Sequence, residues 1–144
     1  MSAHPLHGRD RVRDWMSTQV LTANLRDGLR QTWDRMAEVE VRHVPVIDDQ
    51  EQLVGVISDR DLRRPSSLDL GGQADAFRLD NTLKVEQVMS APPAHVSPDT
   101  PLEEALAIIG AHRYGALPVV DDELRVVGIL SAWDLLRAFR ACLG

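Results

Sequence analysis

The sequence predicts an α+β fold built from two tandem β-α-β-β-α repeats, and three observations lead there. The chain aligns with itself without a gap when slid by 73 positions, glycine to glycine (128 − 55 = 73). Each copy carries two β-branched runs joined by an acidic turn, "HVPVIDDQEQLVGVIS" and "ALPVVDDELRVVGILS", which read as antiparallel hairpins. Each hairpin then ends on the same phrase of Gly, two aliphatics, Ser, two spacers, Asp and Leu, written "GVISDRDL" and "GILSAWDL".

One register holds along the whole repeat. Val12, Met16 and Ser17 fall on Val85, Met89 and Ser90, Leu29 falls on Leu102, and Pro45, Val46, Asp48 and Asp49 fall on Pro118, Val119, Asp121 and Asp122. Gly55, Ser58, Asp61 and Leu62 follow onto Gly128, Ser131, Asp134 and Leu135. In the first copy a helix is expected over about Gly28–Val39 with Leu29, Trp33 and Met36 inward. In the second, Thr100 is a good N-cap, Pro101 suits the first helical position, and Glu103 is placed to close a capping box. Leu102, Ala105, Leu106 and Ile109 then define one buried face. Short strands in "QVLTA" and "PAHVS" precede these helices, and further helices start at Ser58 and Ser131. The repeats are bounded at 12–64 and 85–140, and the stretch 65–84, with Pro65 and the Gly71–Gly72 pair, reads as a linker.

Composition narrows the function. The 144 residues are 44% hydrophobic, enough for a packed interior. A formal net charge of −6 argues against a general affinity for nucleic acid or anionic membrane. Any anionic ligand must therefore meet local positive charge. Cys142 is the only cysteine, which excludes an intrachain disulfide and a cysteine metal cluster. No apolar stretch approaches the roughly 20 residues that span a bilayer, and the N-terminal segment lacks a signal peptide's apolar core, so a cytoplasmic protein is expected.

The Ser-x-x-Asp phrase has two readings. As a capping box, Ser58 or Ser131 accepts from the first helical N–H groups while Asp61 or Asp134 folds back. As a ligand site, the helix N-terminus suits phosphate, the upstream glycine lets a ligand approach the backbone, and a carboxylate one turn in suits the hydroxyls of a ribose. The two are compatible.

With these motifs in order and duplicated, the chain resembles the cystathionine β-synthase (CBS) domain family over about residues 12–140, as a stand-alone pair of the kind called a Bateman module. The carriers are "VRDWMS" and "VEQVMS", "HVPVIDD" and "ALPVVDD", and "GVISDRDL" and "GILSAWDL". The resemblance implies two repeats packed about a pseudo-twofold axis, with clefts between their sheets that take AMP, ADP, ATP, S-adenosylmethionine or NAD. It implies a non-catalytic sensor, of energy state for example, that forms a homodimer and acts on an unidentified partner protein, with no cofactor required. Carried over residue by residue, Ser58 and Ser131 contact phosphate, and Asp61 and Asp134 hold ribose. Adenine lies against Thr22 and Ala23 with Val44 in one copy, and against His95 and Val96 with Leu117 in the other. Family members place basic residues just before the proline, and the first copy has Arg42 and His43 there, with Arg60 inside the motif. The second has Gly115, Ala116 and Trp133 at those positions, so unequal sites are expected, the first favouring phosphorylated adenosine and the second either empty or taking a less charged ligand.

Other candidates are weaker. Asp48–Asp49 and Asp121–Asp122 read as turn formers. His4 and His7 have ligand spacing without a third ligand, His112 and Arg113 suit a helix C-terminus, and Trp133 reads as core or dimer packing. No nucleophile, base and orienter can be assembled, so an enzyme is not expected and no metal site is assigned. The alternative is a ligand-free dimeric interaction module in which the twin motifs only cap helices.

Overall fold

Two antiparallel hairpins carry the fold: β2 (His43–Ile47) with β3 (Leu53–Ser58), and β4 (Ala116–Val120) with β5 (Val126–Ser131). The structure, a computed structural model, describes residues 10–63, 82–112 and 114–143. His4, His7, Arg113, most of the expected linker, including Pro65, Gly71 and Gly72, and the Cys142 side chain lie outside the described residues. Around the hairpins stand a short strand β1 (Ala23–Asn24) and the helices α1 (Leu29–Val39), α2 (Asp59–Arg63), α3 (Val85–Val88), α4 (Leu102–His112) and α5 (Ala132–Leu143). A single 3-10 turn, Val12–Asp14, opens the described chain. Mixed helix and strand in two tandem repeats is the expected α+β class, and α1 against α4, β2 against β4 and β3 against β5 are related by the shift read in the sequence. Among the described residues no helix is long and apolar enough to cross a membrane.

The hairpin turns are duplicated atom for atom. Asp48 Oδ1 accepts from the backbone N–H groups of Gln50 and Gln52 at 2.8 and 3.0 Å, and Asp121 Oδ1 accepts from Glu123 and Arg125 at 2.8 and 2.9 Å. Glu51 and Leu124 take the left-handed conformation that the turn demands, at φ 64° and 65°. The acidic pairs are turn formers, and among the described residues no cluster of three or more potential metal ligands occurs. Backbone hydrogen bonds, first from Arg125, hold the Asp121 carboxyl below its usual range, and the side-chain hydrogen bond from Arg26 does so for Asp49.

The chain forms two compact units, and each draws on both sequence copies. One is continuous, running from Leu21 to Pro93. Its core gathers Ala23, Leu29, Met36, Val44, Val46, Ile57, Leu62 and Val85. β1 lies parallel to β2 in a sheet ordered β1-β2-β3. The other unit joins the N-terminal residues up to Val20 to Ala94–Gly144. Its core gathers Val12, Val96, Leu102, Ala105, Leu117, Val119, Leu130, Leu135 and Ala138.

Reciprocal contacts define this exchange. Val85 N–H donates to Asp27 O and Leu29 N–H to Leu83 O, at 2.9 and 3.1 Å, in the continuous unit. Val12 N–H donates to Thr100 O and Leu102 N–H to Asp10 O, both at 2.9 Å, in the other. Ser90 exchanges two backbone hydrogen bonds with Val56, and Ser17 does the same with Ile129. The segment that opens each sequence copy therefore completes the sheet of the other copy's hairpin.

Several expectations are corrected. The strand expected in "PAHVS" shrinks to one parallel bridge, Val96 to Val119. Thr100 does not cap α4: its Oγ1 accepts from Ser97 N–H at 3.0 Å, and the Pro101 carbonyl receives the first helical N–H groups instead. Proline cannot donate, so its carbonyl alone enters the ladder there. Leu106 is 44% exposed rather than buried, because the core contact of α4 narrows to Leu102 and Ala105 with Ile108 and Ile109 at its margin.

The motif glycine also has a different purpose from ligand access. A Cβ at Gly55 would stand 2.5 Å from the Met89 sulfur and 3.0 Å from Ser90 O, and one at Gly128 would stand 2.7 Å from the Met16 sulfur and 3.0 Å from Ser17 O. The space is filled by the exchanged Met-Ser segment. Gly55→Ala and Gly128→Ala should each cost about 1–3 kcal/mol, the usual range for overpacking, read as a lower urea midpoint with unchanged m.

Candidate functional site

In the continuous unit the candidate residues converge where β2 begins and β3 ends. His43 is the register partner of Ser58, and Val44 that of Ile57. Asp59 N–H donates to Arg42 O at 2.9 Å, which draws the pre-strand residues onto the start of α2. The capping box is complete: Ser58 N–H donates to Asp61 Oδ2 at 2.9 Å and Asp61 N–H to Ser58 Oγ at 3.0 Å. Arg42 and Arg60 are exposed and His43 half-buried. Burial pushes the His43 imidazole below its ordinary pKa, against the opposing pull of Asp59 and Asp61 and with a smaller contribution from Arg42.

The adenine candidates divide by side chain and backbone. Val44 is completely buried and Ala23 1% exposed, so neither presents surface of its own in this structure, and Thr22 is the half-buried member of the set. Thr22 O accepts from the Arg35 guanidinium at 3.2 Å, and Arg35 also pairs with Asp27. Ala23 lies opposite Val46 on the parallel strand, one pleat along from Val44. Beside Arg42 an open cleft of about 420 Å³ is lined by Trp33, Met36, Asp59 and Arg63, with the Arg63 guanidinium 5.8 Å from the Trp33 ring centre.

The second copy repeats the backbone and changes the charges. Ala132 N–H donates to Gly115 O at 2.9 Å, as Asp59 does to Arg42. Ser131 N–H and Oγ both donate to Asp134 Oδ2, at 2.8 and 3.0 Å, and Asp134 N–H donates to Ser131 Oγ at 3.1 Å. Asp134 is 6% exposed, and its Oδ1 accepts from Arg137 at 3.0 Å. Val96 brackets β4 by donating to Pro118 O and accepting from Val120 N–H, while Leu117 is completely buried and His95 exposed. Trp133 is 68% exposed, which removes the core reading. Together with Leu136, Phe139 and Leu143 it forms an exposed apolar stripe on α5. His112 ends α4 and stacks on Tyr114 with ring centres 5.2 Å apart.

Sequence reasoning did not single out Arg137 or Arg35. The signal for Arg137 was available, because a cation three residues after a carboxylate on a helix is within reach of it. Arg35 had none, since its partner Thr22 lies in an irregular segment.

The CBS domain family model matches residues 12–67 and 85–141. The chain belongs to the CBS domain family. As a CBS pair it is 30% identical over 124 residues to the CBS domain-containing protein YhcV of Bacillus subtilis, covering 86% of this chain and 81% of that one. It is 28% identical over 134 residues to an inosine-5'-monophosphate dehydrogenase of Methanocaldococcus jannaschii, matching 93% of this chain but only 24% of the enzyme. Among solved structures, CBSX2 in complex with AMP superposes with a TM-score of 0.76 at 29% identity, over 93% of this chain and 98% of that one. The CBS domain pair of protein MJ0100 superposes with a TM-score of 0.78 at 23% identity, over 92% and 97%, which establishes the shared fold.

His43 makes a pH test available. Its native pKa lies below the unfolded value of about 6.5, so the native state binds fewer protons in that window and stability falls as pH drops through it. Replacing His43 by Asn should flatten the urea midpoint between about pH 5 and 7 relative to the parent chain. Equal slopes in the two proteins would contradict the burial of a neutral imidazole.

Proposed function

We propose that this CBS pair is a non-catalytic regulatory module that binds adenosine-containing ligands at its Ser-x-x-Asp motifs, AMP, ADP and ATP before S-adenosylmethionine, and acts on a partner protein. The observation that carries this is the gathering of Arg42, His43, Ser58 and Asp61 at one strand end of the first repeat. A phosphate there would meet the Arg60 N–H at the start of α2, the Ser58 hydroxyl, the neutral His43 imidazole and the cations Arg42 and Arg60. Asp61 would accept the ribose hydroxyls, and adenine would lie against Thr22, Ala23 and Val44. In the second repeat Ser131 and Asp134 take the same roles beside His95, Val96 and Leu117, without the cations. AMP bound to CBSX2, a relative at 29% identity, supports the ligand class.

The regulatory step needs differential affinity, because a ligand shifts an equilibrium only by as much as it prefers one state. The apolar stripe of α5 supports a homodimer as the responding assembly, since exposed Trp and Phe on one helix face favour association. A second reading, a ligand-free interaction module, is favoured by the complete capping boxes, which account for both motifs without a ligand.

Thermal unfolding against AMP, ADP, ATP, S-adenosylmethionine and NAD, with GTP as control, separates the readings. A ligand at about a hundred times its Kd adds about 2.7 kcal/mol and raises the midpoint by roughly 5–10 °C for a chain of this size. Asp61→Ala or Asp134→Ala should weaken binding at its own site about ten- to a hundredfold, by loss of charge-assisted hydrogen bonds. No shift with any adenosine compound supports the ligand-free module. For the assembly, sedimentation velocity should show dimer for the parent chain and monomer for Trp133→Glu.

A further inference from the structure

We propose that Arg137 is a specificity-determining residue of the second repeat, a competitor within the chain for the carboxylate that would hold ribose. The inference rests on the assignment of Asp134 to ribose made above. A carboxylate offers about four acceptor positions. Two on Oδ2 are taken by Ser131 N–H and Oγ, and one on Oδ1 by Arg137. One position is left, while a ribose diol brings two donors. At least one existing hydrogen bond must therefore open when a nucleoside enters.

The three present donors differ in how easily they leave. Ser131 N–H is fixed, because Ser131 is paired with Ala116 at the end of β5. Ser131 Oγ rotates readily, but only a phosphorylated ligand supplies another acceptor for it. Arg137 is held by a single hydrogen bond and its side chain is 51% exposed, so water replaces its partner at small cost. A phosphate ester frees Ser131 Oγ and satisfies it. A ligand with a free diol and no phosphate must displace Arg137 instead. The second site is thereby biased against unphosphorylated adenosine, although the cations of the first repeat are missing from it. Position 64, which corresponds to 137 by the repeat (137 − 73 = 64), is also arginine but lies outside the described residues.

The test uses the full chain carrying Asp61→Ala, which silences the first site, with adenosine as a neutral probe in titration calorimetry. Adding Arg137→Met should raise adenosine affinity about two- to threefold, the range expected for a half-exposed ion pair, while Arg137→Lys stays near the parent. Raising salt from about 50 to about 500 mM should strengthen adenosine binding about twofold in the parent and leave Arg137→Met unchanged, because salt screens the ion pair and not the uncharged ligand. If Arg137→Met does not fold, the salt dependence of the parent decides alone. Adenosine binding that ignores salt and, where the variant folds, Arg137→Met overturns the competitor role only. No adenosine binding in either the unmutated chain or the Asp61→Ala chain overturns it together with the assignment of Asp134.

Discussion

The fold depends on a close approach between backbone and backbone. Ser90 lies against Val56 and Ser17 against Ile129, each through two hydrogen bonds, and both approaches need a neighbouring residue without a Cβ. Gly55 and Gly128 meet that need, and Met89 and Met16 lay their thioethers over the bare backbone. A flexible, polarizable side chain suits a space defined by main-chain atoms. Because the exchange is reciprocal, it ties the beginning of each sequence copy to the hairpin of the other. Neither hairpin has its full sheet without it.

The same phrase that builds the fold also carries the candidate chemistry. Ser58 and Ser131 end the strands that carry these glycines, and the next residues open helices. The first helical N–H groups and the folded-back carboxylates are thus held in position by the chain itself. Net charge is negative over the whole chain, yet the first repeat places Arg42 and Arg60 beside the neutral His43 where β2 begins and α2 opens. The two copies therefore share one backbone design and differ in the charges set on it.

Much of this was legible in the sequence, for identifiable reasons. The hairpins and their turns follow from β-branched runs around an aspartate that accepts two backbone N–H groups, a purely local arrangement. The capping boxes follow from Ser-x-x-Asp for the same reason. What escaped was non-local. Gly55 reads as freedom for a ligand until Met89 is seen to occupy the space. Thr100 has the right type and place for a cap, but its hydroxyl is already engaged with Ser97. The helical spacing of Leu106 is sound, yet the apolar surface it would meet ends at Ile108 and Ile109. Arg137 drew no attention in the sequence, although it stands three residues after Asp134 on one helix and pairs with it.

The reciprocal exchange also orders events during synthesis. The unit from Leu21 to Pro93 is continuous, so it can close as soon as its last residues leave the ribosome. Val12 and its neighbours must wait for Thr100 and Ile129 before they find their partners. Until then Val12, Trp15 and Met16 lack the core they pack into, and loop closure over so many residues slows their docking. Each sequence copy taken alone therefore lacks the segment that completes the sheet of its own hairpin, so a chain cut between the copies would leave both hairpins short of a partner.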